Sequence, residues 1–251
     1  MVTAGPSPSP PAAAPPAAAP LLQVEQVVFR WGRGQPPCID IAEFAVAPGE
    51  RVFLHGPSGS GKSTLLGLLG GVLVPERGVV RALGTDLAAL GAAARDRFRV
   101  DHIGFVFQQF NLIPYLSMLD NVLLPCGFSD RRRTRAGDSP RAEALRLLRA
   151  LDLTPDLLDR RVTQLSVGQQ QRVAVARALI GRPEIIVADE PTSSLDSDRQ
   201  DRFLDLLLQE CEASQASLLF VSHDRRLARH FTRELALHEL NRAAASAEAT
   251  V

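Results

Sequence analysis

The sequence contains almost no lysine: of 28 lysine and arginine residues, only Lys62 is a lysine. Its charges also cancel, because 28 Asp and Glu residues leave a formal net charge of +0 at pH 7. A chain without a basic surface has no broad electrostatic attraction for the phosphates of nucleic acids. We therefore expect no nucleic acid partner.

Cysteine is scarce, and the three cysteines, Cys38, Cys126 and Cys211, lie far apart. An odd number of widely spaced cysteines suits neither a disulfide framework nor a paired-cysteine zinc site, and it favours a reducing compartment. Long apolar runs are also missing, since the longest covers residues 65–75 and is rich in glycine. About 20 apolar residues are needed to span a bilayer, so we expect membrane contact only through a partner.

The chain does contain enough hydrophobic residues, 45% of 251, to bury the core of a sizeable domain. Residues 1–20 are almost only alanine, proline, serine and glycine, which is typical of a disordered tail. We predict that residues 21–241 form the folded domain and that residues 242–251 form a frayed tail.

Strands are predicted at three early segments and at two later apolar runs. The early segments are residues 24–29, 39–46 and 51–55, and the later runs are residues 185–188 and 218–221. Short continuous apolar runs are typical of strands that are buried on both faces of a parallel sheet. The sheet is therefore predicted to be mostly parallel.

Helices are predicted over residues 63–69, 141–153 and 169–180, and the second lies in a helical insert at about 109–170. Segment 129–141 is polar and contains glycine and proline, so we expect a solvated loop. The alternative is a contact with anionic lipid, because basic clusters are attracted to membrane surfaces. The basic residues of this segment include Arg131, Arg132, Arg133 and Arg135.

The single lysine lies in a glycine-rich segment between a predicted strand and a predicted helix, which is the order of a phosphate-binding loop. The glycines permit backbone angles that turn N–H groups toward a phosphate. A lysine tip supplies a point charge to the β- and γ-phosphates, and the next hydroxyl can bind Mg²⁺. We therefore predict a nucleoside triphosphate site. The segment consists of Gly56, Pro57, Ser58, Gly59, Ser60, Gly61, Lys62, Ser63 and Thr64.

Two adjacent acids, Asp189 and Glu190, follow the apolar run at residues 185–188. Because side chains alternate along a strand, we expect them to point to opposite sides and to differ in role. One would hold Mg²⁺ through water, and the other would orient or deprotonate the attacking water. The alternative is a pair of solvated acids at a strand end.

Six ordered motifs resemble those of the ATP-binding subunits of ABC transporters, over about residues 21–225. The motifs are residues 56–64, 105–108, 165–169, 188–192, 194–196 and 221–224. The resemblance implies an α/β fold with a P-loop NTPase core and a mostly parallel sheet. It also implies an antiparallel β subdomain at the N-terminal side and an inserted α-helical subdomain.

The same resemblance implies ATP hydrolysis with ATP and Mg²⁺ as cofactors. The implied partners are a second ATP-binding subunit and a transmembrane permease, and the implied location is the cytoplasmic face of the inner membrane. Glu190 resembles the family's catalytic base, and His223 its contact to the γ-phosphate. Gln108 resembles the glutamine that touches Mg²⁺ and the attacking water, while Asp189 and Ser63 complete the metal site.

Trp31 lies where the family more usually has a tyrosine that stacks on adenine, and the alternative for it is plain packing. The residues Ser166, Gly168 and Gln169 resemble the signature that serves the nucleotide of the other subunit. Asp196 resembles a residue that couples the two sites. Val167 departs from the family's usual glycine, which puts the fine geometry of closure in doubt.

Segment 109–115 resembles the region that receives the permease, and the alternative is that its aromatic residues pack the helical insert. Within the family, residues 105–125, 169–172 and 188–193 look most like subunits for lipoprotein release and macrolide-type export. An importer subunit remains an alternative. A soluble ABC ATPase that acts on ribosomes or DNA is disfavoured, because the chain has no second cassette and no net charge.

Overall fold

A computed structural model of the chain describes residues 19–193, 195 and 197–243. The two predicted tails lie almost entirely outside the described residues, and so does Asp196. The predicted division of the chain into tails, domain and insert stays a prediction. None of the described helices has both the length and the apolar character that a membrane span requires.

The described part of the chain forms two sheets. The strands are β1 (Leu22–Phe29), β2 (Ile39–Val46), β3 (Arg51–His55), β4 (Arg77–Ala82), β5 (Thr85–Asp86), β6 (Ile103–Val106), β7 (Ile185–Asp189), β8 (Ser217–Val221) and β9 (Arg233–Ala236). One sheet has the order β2-β1-β4-β5 and is antiparallel. The other has the order β6-β7-β8-β3-β9 and is parallel throughout. The prediction of a mostly parallel sheet with an antiparallel N-terminal sheet is confirmed.

Helices cover the parallel sheet and fill the long connection from β6 to β7. They are α1 (Lys62–Leu69), α2 (Ala92–His102), α3 (Met118–Phe128), α4 (Asp130–Arg135), α5 (Pro140–Ala150), α6 (Val167–Leu179), α7 (Ser197–Ser214) and α8 (Leu237–Leu240). The N-caps of α3, α5 and α6 are Ser117, Ser139 and Ser166, and each side chain accepts a hydrogen bond from the first turn. Serine is preferred there because it satisfies an N–H that has no partner inside the helix.

The parallel sheet separates two hydrophobic clusters, because side chains alternate along each strand. Phe53 and Phe220 face the cluster that contains α3, α5, α6 and α7. Val52 and Leu54 face the cluster that contains α1 and the antiparallel sheet. Full burial of such a side chain contributes about 1.5–3 kcal/mol, so the sheet is held from both sides.

The predicted helices exist, with small differences at their ends. The first begins one residue early at Lys62, and the third begins at Val167 and ends at Leu179. The second ends at Ala150 instead of residue 153, because Leu151 leaves helical geometry. Leu151 and Leu153 are nevertheless buried, so their spacing reflects packing beyond the helix end.

The prediction that segment 129–141 is a solvated loop is wrong for residues 130–135 and holds for the exposed, non-helical residues 137–139. Residues Asp130–Arg135 form α4, whose N-cap Ser129 accepts a hydrogen bond from the N–H of Arg132. The Arg132 side chain is buried, with 2% of the residue exposed. Arg131 and Arg135 both bind Glu184. These contacts also weaken the alternative of a lipid-binding loop, because they occupy most of its basic groups.

Candidate active site

Most of the predicted site residues, other than the signature and Asp196, meet at the carboxyl edge of the parallel sheet. Strands β3, β6, β7 and β8 all end there, which is where ligands bind in open α/β sheets. Together with the first residues of α1 they border a cleft of about 450 Å³. The cleft is lined by Trp31, Cys38, Ser58, Gly59, Gly61, Lys62, Ser63, Thr64, Gln108, Asp189, Glu190 and His223.

Glycine is required in the loop between β3 and α1 for two different reasons. Gly59 and Gly61 have φ angles of 77° and 98°, in the region that side chains disfavour. Gly56 has no such angle, so the expectation that it supplies special backbone freedom is wrong. A Cβ at Gly56 would instead lie 2.9 Å from Oγ of Ser60, which makes the requirement steric.

Lys62 begins α1 and folds back over its own loop. Its Nζ donates to the carbonyl oxygens of Gly56 and Pro57 at 2.8 and 3.0 Å. An ammonium group has three donors, so these two bonds leave one for an anionic oxygen in the cleft. The loop thus holds its single positive charge beside the start of a helix, where anions are favoured.

Ser63 and Asp189 form a pair of oxygen ligands in the cleft. The Ser63 hydroxyl donates to Oδ2 of Asp189 at 2.9 Å. Burial raises the pKa of Asp189, the hydrogen bond from Ser63 opposes that rise, and the charge of Glu190 adds to it. Hydroxyl and carboxylate oxygens are hard ligands of the kind that Mg²⁺ takes, usually together with water and substrate phosphates. The two side chains therefore suit a magnesium ion that is shared with a triphosphate.

Glu190 contacts His223 across the end of the sheet. Oε2 of Glu190 lies 2.6 Å from Nδ1 of His223, and the Glu190 N–H donates to the carbonyl of Val221. Strand β7 ends at Asp189, and Glu190 has a φ of 48°. The expectation that the two acids point to opposite sides is therefore wrong, because this left-handed residue breaks the alternation. Both carboxylates line the cleft.

Trp31 and Gln108 both border the cleft. Trp31 is 64% exposed and meets the ring of Phe29 edge-on, at 5.2 Å between centroids. This exposure leaves ring surface of Trp31 available to a ligand, which suits a stacking role. Gln108 follows β6 and is exposed beside the acids.

The signature residues are not part of this cleft. Ser166 caps α6: its Oγ accepts from the N–H of Gln169 at 3.3 Å, and its N–H donates to Oε1 of Gln169 at 2.8 Å. Val167 is the first residue of α6 and is 52% exposed. Gly168 is on the same first turn. These residues lie at the N-terminus of a 13-residue helix, apart from the chain's own phosphate loop.

The sequence did not predict two residues whose side chains link segments next to the cleft. Asn241 is buried, and its Oδ1 accepts from the N–H of Asp40 at 2.8 Å while its Nδ2 donates to the carbonyl of Cys38 at 2.9 Å. Cys38 itself donates from Sγ to Oγ1 of Thr64 at 3.5 Å. An asparagine after a short helix carries no local signal for such long-range contacts.

Segment 109–115 is only partly the exposed surface that its composition predicts. Tyr115 is 73% exposed, but Phe110 is buried in the core with 8% exposed. Arg177 of α6 donates to the carbonyls of Phe110 and Asn111, at 2.6 and 2.7 Å. For Phe110 the alternative of packing against the helical insert is therefore correct.

Comparison with known proteins identifies this arrangement. Residues 39–193, more than half of the chain, match the family described as ABC transporter. The chain belongs to this family. As its ATP-binding subunit it hydrolyses ATP.

Relatives of this ABC subunit cover most of its length. The lipoprotein-releasing system ATP-binding protein LolD of Xanthomonas oryzae pv. oryzae is 39% identical over 208 residues, which are 83% of this chain and 83% of the relative. LolD of Novosphingobium aromaticivorans is 43% identical over 194 residues, which are 77% of this chain and 84% of the relative.

A solved ABC structure is similar over nearly its whole length. It is the dimeric post-hydrolysis state of the ATP-binding cassette MJ0796 bound to ADP and Pi, with a TM-score of 0.75 and 35% identity. The similarity covers 88% of this chain and 95% of that one. The predicted fold class and ATPase activity are confirmed.

Proposed function

We propose that this ABC subunit powers a separate membrane permease of the lipoprotein-releasing type, from the cytoplasmic face of the inner membrane. The observation that carries the proposal is the combination of a cleft lined by Lys62, Asp189, Glu190 and His223 with relatives whose names describe lipoprotein release. No described helix could span a bilayer, so the chain's contact with the membrane would come through the permease.

The residues of the cleft divide the work of ATP hydrolysis. Trp31 would stack on adenine, while the loop amides and Lys62 would bind the phosphates. Ser63, Asp189 and Gln108 would hold Mg²⁺, which supplies charge neutralisation at the phosphate oxygens. The loop residues proposed to bind nucleotide are Gly56, Pro57, Ser58, Gly59, Ser60, Gly61, Lys62, Ser63 and Thr64.

Glu190 is the proposed general base for the attacking water. It lies in the cleft at the end of β7, within hydrogen-bond distance of His223. That contact would orient the carboxylate, and the imidazole of His223, which also lines the cleft, would contact the γ-phosphate. A base must be held within reach of the proton it takes, and the turn at Glu190 provides this position.

Two chains would be needed for a complete site, because the signature lies outside the cleft of its own subunit. Ser166, the amide of Gly168 and Gln169 would close over the nucleotide of the partner subunit, using the N-terminus of α6. Asp196, outside the described residues, is proposed to couple the two sites. The dimeric MJ0796 structure with ADP and Pi supports this arrangement.

The permease is proposed to dock at an apolar groove of about 430 Å³ beside segment 109–115. Exposed aromatic side chains are costly to leave in water and are typical of protein interaction surfaces. Phe107 and Phe128 line the groove and are 38% and 66% exposed. Tyr115 adds a third exposed ring on segment 109–115.

The Glu190→Gln variant tests the ATPase function. It preserves shape and removes the base, so turnover should fall by roughly 100-fold or more. Binding of Mg-ATP should persist, and gel filtration with ATP should show a trapped dimer. Glu43→Gln, an exposed acid on β2, is the control and should hydrolyse ATP at the parent rate. A Glu190→Gln protein with parental turnover would contradict the role of Glu190.

A further inference from the structure

Arg132 on α4 is a fully buried arginine whose partners are main-chain oxygens. Its Nε donates to the carbonyl of Val100 at 3.0 Å, and Nη2 donates to that of Ile103 at 2.9 Å. Its Nη1 donates to the carbonyls of Ala178 and Ile180, at 2.8 and 2.7 Å. Burial lowers the pKa of Arg132 to about 10, so the guanidinium still carries its charge at neutral pH.

The four carbonyls belong to two places that matter for ATP hydrolysis. Val100 and Ile103 lie where α2 ends and β6 begins, and β6 leads directly to Gln108 in the cleft. Ala178 and Ile180 lie at the C-terminal end of α6, whose other end carries the signature. The last carbonyls of a helix have no partner inside the helix and carry its negative dipole end, so a buried cation is favoured there.

The backbone around Arg132 leaves little room for adjustment. A Cβ at Gly104 would lie 2.3 Å from the carbonyl oxygen of Ala178, so β6 and α6 are in direct main-chain contact. A Cβ at Gly181 would lie 2.5 Å from the carbonyl oxygen of Arg132, and Gly181 has a φ of 70°. Close-packed elements of this kind move together instead of deforming gradually.

We propose that Arg132 is a positioning residue that holds the signature helix α6 in a defined orientation relative to strand β6 and its Gln108. The inference rests on the proposed function, in which Gln108 serves the chain's own nucleotide and the signature serves the partner's nucleotide. A shift at Gln108 then reaches the signature through a rigid junction, and the two half-sites close together.

The geometry requires the planar fork of arginine. Three nitrogens of arginine donate in fixed directions to four carbonyls. A lysine has a single nitrogen and cannot reach the carbonyls at the C-terminal ends of α2 and α6 at once. Arg132→Lys keeps the charge and most of the stem but breaks the link between β6 and α6. Loss of two hydrogen bonds from a charged group should slow ATP-driven closure of the dimer, and with it kcat, at least roughly tenfold.

The test compares Arg132→Lys with Arg133→Lys, its neighbour on the same helix. Arg133 is exposed and pairs with Asp130 one turn away, so it is a matched control outside the junction. For each variant we would measure ATPase kcat and KM, binding of a fluorescent ATP analogue to the monomer, and ATP-driven dimer formation in the Glu190→Gln background. Unfolding curves would report stability.

We expect Arg132→Lys to bind the nucleotide within about twofold of the parent while kcat and dimer formation fall at least roughly tenfold. Arg133→Lys should match the parent in every measurement. The inference is overturned if Arg132→Lys retains parental kcat and dimer formation. It is equally overturned if nucleotide binding falls as much as kcat, because that would indicate general damage to the fold.

If Arg132→Lys does not fold, hydrogen exchange measured on the Glu190→Gln protein tests the inference instead. Addition of ATP should then change protection at residues 100–104 and 178–181 together, and a change in only one of them overturns the inference. Failure of the proposed function looks different, since Glu190→Gln would then not dimerise with ATP even with Arg132 intact.

Discussion

At the scale of single residues, the cleft combines side chains that are held firmly with one that is nearly free. Glu190 and Ser63 each have a hydrogen-bond partner within the cleft. Trp31 has only an edge-on contact with Phe29 among its ring contacts in the described chain. The side chains proposed to bind phosphates and Mg²⁺ are therefore already held in place. The proposed adenine-binding end of the cleft depends on one aromatic ring that is open to solvent.

Substitutions of Trp31 can distinguish binding of adenine from binding of the phosphates. Trp31→Ala should weaken ATP binding by about 1–3 kcal/mol, the usual contribution of one base stacked on an aromatic ring. Trp31→Tyr keeps an aromatic face and should bind ATP nearly as well as the parent. Competition titrations with ATP and with inorganic tripolyphosphate would measure both. An equal loss for tripolyphosphate would show that Trp31 acts on the loop and not on the base.

At the scale of elements, strand β6 and helix α6 are in close main-chain contact at Gly104. Gly104 has a carbonyl oxygen and the Cδ1 of Ile186 within 2.7 Å of the position of a Cβ. Gly127 in α3 has no atom within 4 Å of that position. Gly104 therefore lies in a crowded environment and Gly127 in an open one.

Alanine at these two positions should have opposite effects. Gly104→Ala should lower the free energy of unfolding by at least about 1–3 kcal/mol, because the methyl group forces β6 and α6 apart. Gly127→Ala should leave stability unchanged or raise it by up to about 1 kcal/mol, because alanine favours a helix. Urea denaturation of both variants checks this. A Gly104→Ala protein as stable as the parent would mean that the junction yields easily.

Glu184, just before β7, gives stability a defined pH dependence. Burial raises its pKa, but hydrogen bonds from His102 and Arg131 and the charge of Arg135 outweigh burial and hold the pKa at about 2. The folded pKa lies below the unfolded value, so the stabilisation is present above about pH 4.5 and is lost as pH falls toward 2.

We expect this loss to amount to about 1–2 kcal/mol, because partial exposure of Glu184 screens the pairs. Denaturant titrations at several pH values between 6 and 3 would measure it. Glu184→Gln cannot ionise, so its stability should fall less over the same interval. Identical pH profiles for parent and variant would exclude Glu184 as the source.

At the scale of the whole molecule, the nucleotide cleft and the signature are separate surfaces. The apolar groove lies beside the junction that connects Gln108 with α6, and Arg132 lines both. A partner that fills the groove would therefore contact Arg132, the residue proposed to position α6 relative to β6 and Gln108. This placement favours a permease that senses the nucleotide state through the groove.

Charge at Tyr115 tests the proposed docking surface. Tyr115→Glu should reduce co-purification with the permease, because a carboxylate would be buried without a partner. The basal ATPase of the isolated subunit should stay at the parent rate, since Tyr115 is outside the cleft. Tyr115→Phe is the control and should co-purify normally. Normal co-purification of Tyr115→Glu would contradict docking at this segment.

Local sequence patterns were sufficient for the catalytic parts. The loop around Lys62 is specified by its own glycines, and the runs before Asp189 and at residues 218–221 show their burial directly. Each of these signals lies within a few consecutive residues. For that reason the sequence located strands β1, β2, β3, β7 and β8, whereas β4, β5, β6 and β9 of the described chain were not predicted.

Contacts between distant segments determined the rest. Asn241 binds a residue about 200 positions away, Arg132 joins carbonyls of strand β6 and helix α6, and the backbone turn at Glu190 brings both acids into one cleft. Periodicity and composition report which residues are buried or helical, but not which distant carbonyl a buried donor will meet. That choice is made when the elements pack, because only then do unpaired polar groups become neighbours.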